Sequence, residues 1–339
     1  MPKISVVVAV YNAYPFLDRC LVSILQQSYP DFELVVVDDC STDLSALMVR
    51  QFARNDSRIT LHNHKKNRGL GAGRNTGIAA ARGEYVTFVD GDDFLEPNLL
   101  ECMVSASDNG RFDIVETGCQ FIDIEDKVLW NYTPTAMKVE NLDADPDNML
   151  LFGEWGVTQK LWRRSLFQND NPFPEGMFWE DIALLPTLIV NARSLVRTEF
   201  VGYNYLQHSA TITHSRSAKH VLDLFRAIDY FIAYLRKQGS FERYRGPISR
   251  LIEKFTGYIA NHMRTKNRSK PERADYLILL SEMLAKEYRV GRYIARHLND
   301  ASFEAIINQA GGSDPQAAAN VENEFASLIL QAKDDRHAA

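Results

Sequence analysis

The chain has 339 residues, enough for one large domain or two ordinary ones with an ample hydrophobic core. Its formal net charge of -6 argues against bulk binding of nucleic acid. A strand is predicted directly after the first three residues, and no run approaches the ~20 apolar residues that a membrane span needs. We therefore predict a cytoplasmic protein. Four scattered cysteines without C-x-x-C spacing are typical of reduced, buried thiols.

Strand and helix patterns alternate through the first hundred residues. Continuous apolar runs over 4–10 and 33–38 are typical of strands buried on both faces of a parallel sheet. Apolar residues recur at helical spacing after the first strand, and residues 41–43 are good caps for the next helix. Short strands are predicted at 59–62 and 85–90. This order predicts βαβ units and a right-handed parallel sheet.

Three acids, Asp90, Asp92 and Asp93, end the fourth predicted strand. This edge is where ligands bind in open α/β sheets. Two carboxylates separated by one residue can share a divalent cation, whose shell a sugar-nucleotide diphosphate completes. Because the loops after the first, second and fourth strands share one edge, we expect Asn12 and Asp39 in the same crevice. A solvated acidic turn is the alternative for the cluster.

A glycine-rich stretch at 67–77 is predicted to be a loop that runs into a helix. Its glycines do not match the G-x-G-x-x-G dinucleotide fingerprint, and they follow the third strand instead of the first. Arg68 and Arg74 near a helix start suit a phosphate group, as do backbone N–H groups there. The alternative for Arg74 is a surface arginine that caps a tight turn.

Residues 4–100 resemble the nucleotide-sugar domain of family 2 glycosyltransferases, which have the GT-A fold. The resemblance rests on five motifs in matching order and spacing, at 5–12, 21–27, 37–43, 73–77 and 83–93. It implies an α/β fold with a Rossmann-like, mostly parallel sheet flanked by helices. It also implies that the chain binds a nucleotide sugar.

Carried over by position, the resemblance implies a donor site. Asp39 would accept the imide N–H of a pyrimidine base, and Tyr11 would stack near that base. Arg74 would approach the diphosphate, Asp90 would hold the ribose, and Asp92 of the D-x-D motif would bind Mn²⁺ or Mg²⁺. The resemblance also assigns Ala9 and Gly91 to the donor side, although the family more often has Pro or Thr at the position of Ala9. Asp93 would brace the loop or hold the sugar, and it is grouped with the acceptor side.

The loop at 172–176 precedes two acids, Glu180 and Asp181, that open an apolar helix. Acids at a helix N-terminus are favourable caps in any helix. The resemblance implies that Asp181 is the catalytic base, across the sugar from Asp92, and that Glu180 orients the acceptor or the donor sugar. Trp179 is assigned to stack on the acceptor sugar, with plain packing as the alternative.

Two further segments resemble parts of the family. Residues 156–166, with Lys160 followed by arginines, resemble an acceptor-side segment that precedes a short helix. Residues 207–213 correspond to a mobile segment that folds over the diphosphate, so His208 and Ser209 are assigned to donor binding. The family often has an Arg near this position, and a loop His without a role is the alternative for His208.

We expect three parts in the chain. Residues 1–110 would form the nucleotide-sugar half of the GT-A domain, 111–215 its acceptor-binding half, and 216–339 a C-terminal helical bundle. Residues 216–300 carry 18 Lys or Arg against 9 Asp or Glu. We hypothesise that this region binds the inner face of the membrane or an anionic acceptor as a peripheral protein. Homo-oligomerisation through the helices, or solvated helix faces, are the alternatives.

The predicted function is a metal-dependent, inverting glycosyltransferase. It would move a sugar from a UDP-sugar to a glycan or lipid-linked glycan of capsule, O-antigen, exopolysaccharide or teichoic acid. A nucleotidyltransferase shares the sheet and the acidic cluster, but residues 11–14 lack the glycine-rich basic loop that such enzymes carry after the first strand. A catalytically inactive sugar- or nucleotide-binding scaffold is the second alternative, and Asp92 and Asp181 argue against it.

Overall fold

A computed structural model describes residues 1–150, 156–167, 172–208, 218–248 and 250–251 of the chain. Contacts divide the chain into two compact units, and the first combines the described residues up to 208 with 227–241. The described residues of the second unit are all helical and comprise 218–226, 242–248 and 250–251. The predicted boundaries at 110 and 215 stay predictions.

The amino-terminal elements alternate as the sequence predicts. The strands are β1 (Ile4–Val10), β2 (Phe32–Asp38), β3 (Ile59–Asn63) and β4 (Tyr85–Asp90), and the helices between them are α1 (Tyr14–Leu25), α2 (Ser45–Asn55) and α3 (Leu70–Ala80). β1 pairs in parallel with β2 and β4, and β2 pairs with β3. In this register Ala9 lies beside Asp90 and Val10 beside Asp38. The carboxyl ends of these strands therefore meet at one edge.

The second half of the sheet is mixed. Its elements are β5 (Phe94–Leu95), α4 (Leu99–Ala106), β6 (Ile114–Ile122), β7 (Val128–Tyr132), β8 (Met137–Val139), β9 (Lys160–Arg163), α5 (Glu180–Asn191) and β10 (Leu195–Leu206), with 3₁₀ helices at Leu142–Ala144, Pro146–Leu150 and Arg164–Leu166. The strand order is β3-β2-β1-β4-β9-β6-β10-β5, with β7 on β6 and β8 on β10. β9 is antiparallel to both β4 and β6, so it joins the two halves.

β9 contains part of the segment that resembles the acceptor side, and the acceptor role of this segment stays a prediction. Lys160 at its start is completely buried, and its Nζ donates to the carbonyl oxygen of Gly156 (2.8 Å) and lies 3.5 Å from Glu116. Arg163 at its end pairs with Asp113 (2.6 Å) at the opposite edge of the sheet. The arginines therefore lie away from the edge that carries Asp90, and Arg163 has a structural ion pair.

Helices cover both faces of the first sheet half. The even-numbered residues of β1 pack in one core with α1 and α4, and the odd-numbered residues face α3 because successive side chains alternate. A Cβ atom at Gly77 would lie 2.2 Å from Val7 Cγ1, and one at Gly73 would lie 2.9 Å from Ala9 Cβ. The two glycines therefore allow α3 to lie directly on β1.

The first carboxyl-terminal helix is α6 (Ala218–Lys237), which lies in the segment predicted to be helical. Tyr230 Oη donates to the carbonyl oxygen of Pro172 (3.1 Å), and Tyr234 Oη donates to Asn191 Oδ1 (2.7 Å). The rest of the predicted bundle, from 252 onward, lies outside the described residues. No helix within the described residues is both long enough and apolar enough to span a bilayer.

Candidate functional site

Arg74 occupies the centre of the site. Its side chain lies in α3, where the residue is only 3% exposed. Nη2 donates to Asp90 Oδ1 (2.9 Å) and Nη1 donates to Glu180 Oε1 (2.7 Å). One guanidinium therefore joins a carboxylate of β4 to a carboxylate at the start of α5. The alternative of a surface arginine for Arg74 is wrong, because the helix buries it.

The loop before α5 is fixed to α3. The Asn75 side chain donates from Nδ2 to the carbonyl oxygen of Phe173 (2.8 Å) and accepts the Phe173 N–H at Oδ1 (2.9 Å). A Cβ atom at Gly71 would lie 2.6 Å from the carbonyl oxygen of Pro174 and 3.3 Å from Glu180 Cγ. Most of the glycine-rich segment lies in α3. Because Gly71 has no side chain, the loop that precedes Glu180 can pack closely on this helix.

Asp39 follows β2 at the same edge and is 3% exposed. Its Oδ1 lies 2.6 Å from His64 Nδ1, and its carboxylate accepts the backbone N–H groups of Arg68 (2.9 Å) and Gly69 (2.7 Å). His64 Nε2 lies 2.8 Å from Thr76 Oγ1. The carboxylate is thus held in one orientation. The contact of Asp39 with a pyrimidine base stays a prediction. The sequence did not predict the role of His64, because only the fold brings this residue to Asp39.

Asp93 is 1% exposed and lies below the edge. Its carboxylate accepts the Tyr203 hydroxyl (2.5 Å) and the Leu206 N–H (2.9 Å). Burial, together with the charges of Asp92 and Asp90, raises the pKa of Asp93 well above its usual value. Of the two roles that the sequence left open, bracing of the loop agrees with these contacts. A contact with the acceptor stays a prediction.

Asp92 lies at the surface of the same loop, with 31% of its side chain exposed. Its Oδ2 lies 2.9 Å from His208 Nε2, and the His208 ring stacks on Phe16 with centroids 4.5 Å apart. Burial and the charge of Asp90 raise the pKa of Asp92, against the effect of His208. His208 therefore reaches the acidic cluster, whereas Ser209 lies outside the described residues.

Side chains of the types that bind divalent cations lie near this edge, but in the described residues they do not form a complete metal site. Asp90 and Asp92 present carboxylates that are 25% and 31% exposed, and His208 adds an imidazole. Mg²⁺ and Mn²⁺ accept such ligands, and Mg²⁺ is commonly held by one or two carboxylates together with substrate phosphates. In the part of the chain that the structure describes, no group of three or more His, Cys, Asp or Glu could hold a metal. Asp92 as the metal ligand stays a prediction.

Glu180 and Asp181 form the first turn of α5. Burial raises the pKa of Glu180 to about 7, although the charge of Arg74 opposes the shift. Burial also raises the pKa of Asp181, again against Arg74 and with the help of Asp90. A carboxylate with a raised pKa is a stronger base than an exposed one, which suits an acceptor of protons.

The backbone is strained at three points around the same edge. Asn12 and Cys40 follow β1 and β2 with φ values of 52° and 64°, and Trp179 precedes α5 with φ of 64°. For a bulky side chain this left-handed conformation is rare, and such residues concentrate at functional sites. Tyr11, next to Asn12, is 50% exposed, so its ring is available at the edge. Ala9 faces α3, and Gly91 is buried within the acidic loop.

Some of the residues predicted for donor binding and catalysis are linked by contacts in the structure. Asp92 and Asp90 lie close enough for the charge of Asp90 to raise the Asp92 pKa. Asp90 and Glu180 share Arg74, and Asp181 follows Glu180. Residues from three separate parts of the sequence are thus linked through Arg74. No single segment of the sequence contains the site.

Comparison with known proteins gives consistent results. The family model described as Glycosyl transferase family 2 matches residues 5–167. The chain is 30% identical to the glycosyltransferase GlyG of Streptococcus pneumoniae over 218 residues, covering 62% of this chain and 72% of GlyG. It is 25% identical to the succinoglycan biosynthesis protein ExoO of Rhizobium meliloti over 318 residues, covering 90% and 91%. The glycosyltransferase EpsJ of Bacillus subtilis is 33% identical over 189 residues, and the match spans about half of each chain, 54% and 53%.

Solved structures share the fold. TarS residues 1–349 of S. aureus, in complex with UDP-GlcNAc, superpose with a TM-score of 0.58 at 19% identity, covering 98% of this chain and 92% of TarS. The mannosyltransferase PcManGT of Pyrobaculum calidifontis, with GDP-Man and Mn²⁺, gives 0.51 at 17% identity, covering 98% and 84%. These likenesses confirm the predicted GT-A fold. The match to 72% of GlyG at 30% identity, with the family model across β1 to β9, identifies the chain as a member of glycosyltransferase family 2.

Proposed function

We propose that the chain is an inverting glycosyltransferase that transfers a sugar from a nucleotide sugar to a hydroxyl of a bacterial surface polysaccharide. Membership of family 2 supports glycosyl transfer. The name of ExoO supports a polysaccharide product. The complexes of TarS with UDP-GlcNAc and with UDP support a nucleotide-sugar donor, with UDP as the preferred nucleotide.

The observation that carries the proposal is the double ion pair of Arg74. The donor residues and the proposed base belong to parts of the chain far apart in sequence, and Arg74 is 106 positions from Glu180. The buried guanidinium holds Asp90 at 2.9 Å and Glu180 at 2.7 Å. The link between Glu180 and Asp90 through Arg74 supports a direct transfer between a donor and an acceptor bound near this guanidinium.

Asp181 is the proposed general base. Its Oδ1 accepts the backbone N–H of Ile182 (2.8 Å), and its carboxylate takes the proton of the acceptor hydroxyl. The deprotonated hydroxyl then attacks the anomeric carbon from the face opposite the nucleoside diphosphate, and the configuration inverts. Glu180, fixed by Arg74, orients the sugar, and Trp179 lines the acceptor side.

Donor binding falls to the carboxylates at the ends of the strands. Asp39 accepts the imide of the base, with its orientation fixed by His64. Asp90 holds the ribose, while Asp92 and His208 lie towards the diphosphate. Asp92, with His208, would hold Mn²⁺ or Mg²⁺, which would supply positive charge for the departing diphosphate.

The test is nucleotide release from UDP-GlcNAc, UDP-glucose, UDP-galactose and GDP-mannose in the presence of Mn²⁺. We expect release from one of the UDP-sugars by the wild type. Asp181→Asn should slow it about 100-fold or more and leave the Kd for UDP unchanged, because a base acts on the reaction and not on donor binding. Asp92→Ala should lose activity and the part of the UDP affinity that depends on Mn²⁺, while the exposed Asp108→Asn serves as the control.

Three outcomes contradict the proposal or its mechanism. Absence of nucleotide release from every donor would favour the inactive sugar-binding scaffold. Release of pyrophosphate from UTP and a sugar phosphate would favour a nucleotidyltransferase instead. Equal activity of Asp181→Asn and the wild type would remove Asp181 from the mechanism.

A further inference from the structure

Three aromatic side chains form a row across neighbouring strands near the proposed site. Trp130 of β7 lies opposite Phe121 of β6, and Phe121 lies opposite Tyr205 of β10. The Trp130 and Phe121 rings are stacked, with centroids 3.7 Å apart and planes at 10°, and Tyr205 follows at 5.0 Å from Phe121. We name Trp130, Phe121 and Tyr205 the aromatic row.

The outer end of the aromatic row is open to solvent. Trp130 is 47% exposed even though one of its faces lies on Phe121. Val128, two residues before it on β7, and Ile124 in the preceding turn are also exposed apolar residues, at 46% and 70%. Exposed apolar groups that lie together usually mark a binding surface. A half-exposed indole provides a flat apolar area for contact with a ligand, and it loses little side-chain entropy when the ligand binds.

The aromatic row lies at the same edge of the sheet as the proposed site. β6 and β10 are parallel, and both end at this edge. Tyr205 is followed along β10 by Leu206, which donates to Asp93, and then by His208, which contacts Asp92. Three residues of extended chain span at most about 10 Å. A short oligosaccharide can therefore contact the aromatic row while its terminal ring lies at Asp92.

We propose that the aromatic row is a saccharide-binding subsite, where a ring of the growing glycan stacks on Trp130 while the terminal sugar receives the transferred unit. The inference rests on the proposed function, and it adds the requirement for an acceptor of several sugars. Sugar rings carry apolar C–H faces that pack on an aromatic plane, and their hydroxyls suit the polar turn beside it. That turn, 123–127, carries three acids and one lysine, which disfavours an anionic bilayer as the occupant.

The test compares binding of oligosaccharides to the wild type and to variants of β7. The probe is an array of bacterial surface oligosaccharides, followed by titration of the strongest ligand. Trp130→Ala should weaken that binding about tenfold, and Trp130→Phe, which keeps an aromatic plane, by less than about threefold. The matched control is Leu129→Ala, which removes a similar exposed side chain from the opposite face of β7 and should bind as the wild type does.

Several outcomes overturn the subsite. These are the absence of saccharide binding by the wild type, equal binding by Trp130→Ala, or an equal loss in Leu129→Ala. Binding to phosphatidylglycerol vesicles that both variants abolish would assign the surface to a membrane, and a wild-type dimer that Trp130→Ala converts to monomer would assign it to a second copy. Nucleotide release from the donor in water should be unchanged in Trp130→Ala. Failure of the subsite is therefore distinguishable from failure of the proposed function, which nucleotide release measures directly.

Discussion

The guanidinium of Arg74 lies among three carboxylates that would otherwise repel one another. Burial by itself would lower the pKa of Arg74, but the charges of Asp90, Glu180 and Asp181 outweigh it and raise the pKa. Arg74 therefore stays charged at every pH at which the protein is folded. The carboxylates are the groups that titrate, and their protonation links the site to the stability of the fold.

The unfolding free energy should fall as the pH rises from about 5 to about 7.5. Burial raises the pKa of Glu180 from the ordinary 4.5 to about 7, so in this window the folded chain holds a proton that the unfolded chain has released. The contribution of this group is on the order of 3 kcal/mol. Asp92, Asp93 and Asp181 also have raised pKa values and act in the same direction.

Urea denaturation across this pH range measures the effect. Glu180→Gln should reduce the slope, because the amide does not titrate. The control is Glu175→Gln, which removes an exposed carboxylate paired with Arg68 and should keep the wild-type slope. A stability that is flat between pH 5 and pH 7.5, or a slope that Glu180→Gln leaves unchanged, would contradict the raised pKa of Glu180.

Among the elements, α3 depends most on a small side chain. It lies directly on β1 because Gly77 has no Cβ atom, and an added one would be 2.2 Å from Val7 Cγ1. Gly77→Ala should therefore destabilise the protein by about 1–3 kcal/mol, since the overlap exceeds the gain in helix propensity. UDP affinity should also fall, because α3 carries Arg74 into the site.

Chemical denaturation and UDP titration test this role of α3. Gly246→Ala is the matched control, since its nearest neighbour would be Arg250 Nη1 at 3.9 Å and alanine favours the helix there. Combining Gly77→Ala with Val7→Ala should cost less than the sum of the two changes, because the smaller side chain makes room. Additive effects of the pair would show that the overlap is not the cause.

Local patterns in the sequence predict most of the donor half. β1 and β4 have the predicted bounds, and α5 begins at Glu180, because apolar runs and capping acids are local signals. β9 and the link between Asp39 and His64 could not be found in this way. The four residues of β9 pair with β4 and β6, and His64 contacts Asp39, which lies 25 positions earlier in the sequence. Both features depend on the assembled fold.

For the whole molecule, donor binding should appear as a gain in thermal stability. A ligand that binds the folded chain adds about 2.7 kcal/mol at a concentration 100 times its Kd, enough to raise the Tm by several degrees. We expect UDP with Mn²⁺ to raise the Tm more than UDP alone or Mn²⁺ alone, because Asp92 and the diphosphate would share the cation.

The variant Asp92→Ala should lose the extra gain from Mn²⁺ and keep part of the gain from UDP, since Asp39 still accepts the base. Differential scanning fluorimetry with UDP, GDP and CMP separates preference for the base from binding of phosphate. An equal shift with all three nucleotides would contradict base selection by Asp39. A shift with Mn²⁺ alone that matches the combined shift would contradict the shared site.

The place of β9 in the sheet also sets an order of events during synthesis. β4 and β6 leave the ribosome well before Lys160–Arg163, the strand that pairs with both of them. Until Arg163 emerges, each of the two earlier strands presents a row of unpaired N–H and C=O groups to its surroundings. The nascent amino-terminal half is therefore expected to need shielding by chaperones, and translation past this point completes the bridge between the two halves.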